Sequence, residues 1–144
     1  MAILAGLLAC AGAATAQAEI EPDRANGKFT CPGKAVKQDW MLVATTGEPF
    51  YCKLSVDSSN KMKGDCISTG EPDETVKASG SLTVNSKCAV TGNITFSDSE
   101  GNKAKGDITA NMTKSQTTII GITVSSQGSE KGQFGTFTAI RMEQ

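Results

Sequence analysis

The chain has 144 residues, a length that suits one domain with a single core. Its 14 basic side chains nearly balance 15 acidic ones, for a formal charge of −1, and so give no reason to expect a nucleic-acid partner. It contains no histidine, which removes the commonest general base and the commonest metal ligand together.

Residues 3–16 are an apolar, alanine-rich run that ends in Ala16-Gln17-Ala18 and gives way to Glu19, Glu21, Asp23 and Arg24. The pattern predicts a secretory signal peptide over 1–18, bacterial in character, with a small-x-small cleavage site. The run falls short of the roughly 20 residues a membrane-spanning helix needs. Leu7-Leu8-Ala9-Cys10 also resembles a bacterial lipobox, and that alternative makes 1–9 the leader and Cys10 a lipidated first residue. The expected location is periplasmic or secreted, with a membrane attachment only through a lipid on Cys10.

Setting Cys10 aside leaves Cys31, Cys52, Cys66 and Cys88, an even number that predicts two disulfides in an exported domain. If 50–56 pairs with 62–68 about a turn centred on residue 59, Val56 faces Met62, Leu54 faces Gly64, and Cys52 faces Cys66. This register favours Cys52–Cys66 and leaves Cys31–Cys88 to tie the N-terminal segment to the later strands. The spacings hold no C-x-x-C pair, so no metal site is expected of these thiols.

Residues 19–39 include Pro22, Gly27, Pro32 and Gly33 and read as an irregular arm whose firm attachment is Cys31. From Trp40 onward eight strand candidates follow, over 40–46, 49–57, 61–69, 75–85, 88–97, 104–113, 116–126 and 133–142. Alternation of apolar and polar residues marks each as half buried, and the links are too short for crossover helices. The predicted fold is therefore all-β: a single-domain antiparallel eight-stranded up-and-down barrel over 40–144, or a closely related sandwich, with two disulfides. Closure would remove the exposed edges of a flat sheet.

The inward faces are predicted to carry Phe50, Cys52, Leu54 and Val56, then Leu82 and Val84, then Val90, Ile94 and Phe96. Ile108, Ala110 and Met112 follow, and then Ile120, Ile122 and Val124. In the last strand Phe137 and Ala139 oppose Phe134, Ile140 and Met142. Either both sides are buried or one is a contact surface through which the protein assembles.

A continuous meander sends alternate links to opposite ends. One end gathers Glu48, Glu71, Asp73, Glu74, Asp98, Glu100 and Glu130 against Lys131; the other has short turns with Lys61, Lys87 and Lys114. Longer loops on a rigid wall make the natural mouth for recognition, so these acidic residues, with Trp40, are the candidate ligand- or partner-binding residues; the alternative for Trp40 is a plug at one end of the barrel. Asp98-Ser-Glu-Gly-Asn102 alternates oxygen ligands as the opening of a calcium loop does. It lacks the terminal bidentate Glu and the flanking helices, and a hairpin turn accounts for the same residues.

No Ser-x-x-Lys falls on a helix-like segment, and paired carboxylates such as Asp73 and Glu74 lie in a solvated turn. Neither catalytic residues nor a cofactor is expected. The expected function is that of an exported bacterial envelope protein, a non-enzymatic β-barrel module binding a small ligand at the acidic loop end. The alternative is a proteinaceous inhibitor or adaptor acting on a hydrolase or another envelope protein. A ligand binder should have a concave apolar cavity at its mouth; an inhibitor should have a filled barrel and a protruding rigid loop.

Overall fold

The computed structural model describes residues 29–46, 48–127 and 131–143; the leader and lipidation readings at 1–18 and Cys10, and residues 19–28 of the arm, lie outside them. Eight strands follow in order: β1 (Asp39–Thr46), β2 (Glu48–Val56), β3 (Lys61–Ser68), β4 (Thr75–Val84), β5 (Ala89–Ser97), β6 (Lys103–Met112), β7 (Thr118–Ser125) and β8 (Phe134–Arg141). Each pairs antiparallel with the next, and β8 returns to β1, so the sheet is a closed barrel. The predicted up-and-down barrel is the architecture found.

Four of the hairpins share one device. Asp57 and Asp98 open two of the turns and Asn85 and Thr113 the others, and the residue three positions on has a left-handed backbone: Asn60, Gly101, Cys88 and Gln116. In each, that residue's N–H donates to the opener's carbonyl, which closes the turn. The opener's side-chain oxygen then accepts further backbone N–H groups: those of Ser59 and Lys61 at Asp57, Lys87 and Ala89 at Asn85, Glu100 and Asn102 at Asp98, and Thr118 at Thr113. Short polar side chains are what such turns select. These turns hold the strand registers, including the one that faces Cys52 with Cys66 and Leu54 with Gly64.

Both disulfides are present with the predicted partners, Cys31–Cys88 and Cys52–Cys66. The interior is packed with Trp40, Leu42, Leu54, Met62, Val90, Ile94, Ile108, Met112, Ile119 and Phe137. Glycines keep to the same side of the wall, and a Cβ on Gly64 would overlap the Lys53 carbonyl of the adjoining strand. The strands approach and coil there because a side chain is missing.

Two features depart from the sequence reading. Residues 29–38 do more than hang from Cys31: Ala35 and Val36 are buried against the core, the Trp40 indole N–H donates to the Val36 carbonyl at 2.9 Å, and the Val56 N–H donates to the Gln38 carbonyl. The arm plugs the basic end of the barrel. In β7 the inward face is Ile119, Gly121, Thr123 and Ser125, not Ile120, Ile122 and Val124; Ile119 is buried beside Met112, whereas Ile120 is 57% exposed. With apolar residues on both sides of β7, its periodicity did not define a phase; pairing with β6 and β8 did.

Candidate functional site

All long links emerge at one pole. The β3–β4 link carries Glu71, Asp73 and Glu74, and the β5–β6 link carries Asp98 and Glu100, so these five predicted residues do come to the same end. Glu130 lies outside the described residues, and only the backbone of Glu48 is described. Trp40 does not join them. It stands at the start of β1, at the opposite pole, 1% exposed beneath Val36, and serves as part of the plug.

The acidic groups sense one another. The Glu74 carboxyl is held above its usual range by a hydrogen bond shared with Glu71, then by the Glu71 charge and, more weakly, by Asp98 and Glu100. Asp98 is pulled the other way, chiefly because the Asn102 side-chain amide donates to it at 2.8 Å and backbone N–H groups of its own turn add to this. Its oxygens are committed to the hairpin, which explains the calcium-like spacing without an ion. Among the described residues no three Cys, Asp or Glu side chains converge as a metal site.

Inside this acidic rim the barrel is open. A cavity of about 470 Å³ is lined by the inward residues Ile94 and Phe96 of β5, Ala104 and Gly106 of β6, Thr123 and Ser125 of β7 and Gly135 of β8, by Gln133 just before β8, and at its edge by Thr45, Lys105 and Phe134, whose positions alternate outward. The space follows from side-chain size. On β6 to β8 the inward positions nearest the mouth are Ala104, Gly106, Thr123, Ser125 and Gly135, whereas the same strands lower down carry Ile108, Met112, Ile119 and Phe137. Phe96 forms one wall, held edge-on against Phe50 with ring centroids 5.4 Å apart. The Thr123 hydroxyl and the Gln133 amide have no hydrogen-bond partner among the described residues, while the Ser125 hydroxyl donates to the Gln127 carbonyl at 3.2 Å.

The cavity thus has an apolar floor at Ile94, an aromatic wall, Lys105 at its edge, and two polar side chains near the opening that are unpartnered among the described residues. Its volume falls in the range of small-molecule sites. Ile94 and Phe96 face inward as the sequence predicts, but the β7 part of the lining was not expected, because the phase read for β7 turns Thr123 and Ser125 outward. Gly106 and Gly135, both small and both in strands facing β7, were the available signal.

Other concavities lie more open to solvent, among them one of about 510 Å³ between Lys37, Asp39, Arg141 and Glu143 at the plugged end. One of about 620 Å³ lies on the outer wall over Gly64 between Lys53, Lys63, Asp65 and Lys77, where Lys77 pairs with Asp65 at 2.7 Å in open solvent. Another, about 730 Å³, follows the β3–β4 link from Gly70 to Thr75. None of these is walled as the mouth is.

No family model and no curated protein matches the chain. Among solved structures it is similar to a de novo designed fluorescence-activating β-barrel, with a TM-score of 0.55 and 14% sequence identity, over 78% of this chain and all of the designed one. At that identity the likeness is one of fold.

Proposed function

We propose that this is a binding protein of the bacterial envelope that holds a small, largely apolar molecule, neutral or cationic, in the acidic mouth of its barrel. The observation that carries the reading is the half-hollow interior: a solid core at the plugged end and a 470 Å³ opening walled by Ile94, Phe96 and Thr123 at the other. The carboxylates of Glu71, Glu74, Asp98 and Glu100 stand on the loops beyond the cavity and favour the approach of cations over anions, while Lys105 is the charged residue on the cavity's own lining.

Export is part of the proposal. Two closed disulfides fit an oxidising compartment, and the leader-like residues 1–18 fit passage into the periplasm or beyond, with a lipid on Cys10 as the alternative processing. A binding role rather than a catalytic one is supported by the groups at the mouth: Thr123, Ser125 and Gln133 do not titrate near neutral pH, and no histidine is available to activate them.

The test is native mass spectrometry of the protein recovered from its own host, beside a Thr123→Phe variant that fills the mouth. A non-covalent adduct of small-molecule mass on the wild type, lost in the variant, is the expected result. A wild type that carries no small molecule and instead co-purifies stoichiometrically with an envelope hydrolase would favour the inhibitor or adaptor reading.

A further inference from the structure

The outside of the barrel is divided. On β2, β3, β4 and β6 the outward positions carry Lys53, Lys63, Asp65, Lys77, Lys105 and Asp107, the surface expected of a wall in water. The outward positions of β7 and β8, and those of β1 from Met41 to Thr45, hold no ionisable group. Instead Val43, Ile120, Ile122, Phe134 and Ile140 are 39–72% exposed, and Tyr51 of β2 adjoins Val43 at 40%. Pairing makes these one face: Ile120 neighbours Thr138, which neighbours Val43, and Ile140 neighbours Met41.

The six exposed side chains present roughly 600 Å² of apolar surface, as much as the largest patch on an ordinary monomer. With the threonines between them the face approaches the about 800 Å² per partner that a standard interface buries.

We infer that this face is where two copies of the chain pair, sheet on sheet, head to tail about a two-fold axis crossing the middle of β8. The pattern is self-complementary about that axis. Phe134 and Ile140 stand three outward positions apart at the two ends of β8, so each lies over the other in the partner; Ile122 lies over the partner's Ile120, and Thr136 over the partner's Thr138. The poles decide the direction. Head to tail, the end bearing Glu71, Glu74, Asp98 and Glu100 lies beside the partner's end bearing Lys61, Lys87 and Lys114, whereas the parallel arrangement would set like charges together. The inference stands whether or not the mouths bind a ligand.

Sedimentation velocity of the full chain, from low-micromolar to near-millimolar concentration, reads the pairing directly. The wild type is expected to sediment as a dimer, and Ile120→Lys and Ile122→Glu, each on the outer surface and each retaining the wild-type circular dichroism, are expected to be monomers with at least 100-fold weaker association. Mixing the two variants should restore a heterodimer, because the lysine of one then lies over the glutamate of the other. A wild type that stays monomeric throughout, including one that instead floats with lipid vesicles, overturns the inference. So does a dimer that survives Ile120→Lys, and two monomeric variants that do not complement overturn the head-to-tail arrangement.

Discussion

Gln116 has a left-handed backbone, φ 59°, at a turn position where Gly101 does the same work without a side chain to strain. A non-glycine residue there costs about 1–2 kcal/mol, part of which glycine returns as freedom of the unfolded chain. Gln116→Gly should therefore stabilise the fold by about 0.5–1 kcal/mol, read as a higher urea midpoint with an unchanged slope. The rim carboxylates make opposite pH signatures. Asp98, held below its unfolded value by Asn102, adds stability that is present above the unfolded pKa and lost as the pH falls through the folded one. Glu74, held above its unfolded value by Glu71, adds stability only at lower pH, and this is lost as the pH rises through its folded pKa. Melting temperatures measured across the acid range should show Asp98→Asn below wild type at neutral pH and Glu74→Gln above it, with both converging on wild type in strong acid.

At the scale of elements, the hairpins were legible in the sequence because their turn residues and their alternation agree. The pairing of Cys52 with Cys66 followed from counting outward from a turn centred on Ser59, and the register bears it out. Strand β7 was not legible in phase: Ile119, Ile120, Ile122 and Val124 satisfy either face, and only Ile119 against Met112 decides between them. The plug was hidden for a related reason, since two small apolar residues, Ala35 and Val36, between Lys34 and Lys37 give no periodic signal. The two disulfides hold different elements. By chain entropy, opening Cys31–Cys88, 57 residues apart, should cost about 4 kcal/mol, against about 3 for Cys52–Cys66, 14 apart. Replacing Cys31 and Cys88 by alanine should also free the plug and red-shift the emission of Trp40, the chain's one tryptophan; replacing Cys52 and Cys66 should leave that emission in place.

For the whole molecule, one wall serves two environments. Its inner surface is large at the plugged end and small at the mouth, and its outer surface is charged across β2 to β4 and on β6 but apolar across β7, β8 and the middle of β1. Charged outward residues such as Lys53, Lys63 and Lys77 exclude the encircling apolar band that a membrane-spanning barrel needs. The mouth was legible only as a rim of acidic loops; its volume depends on glycines and hydroxyl residues that a sequence does not distinguish from ordinary strand breaks and solvent-facing positions. The most direct measurement of its role is an amide chemical-shift map of the labelled protein titrated with small hydrophobic amines, neutral aromatics and matched anions. Binding should shift Ile94, Phe96, Gly106, Thr123 and Gly135, leave Val36 and Trp40 unmoved, and favour the amines over the anions. Shifts confined to the outer wall, or none at saturating concentrations of any of the three classes, would contradict a ligand-binding mouth.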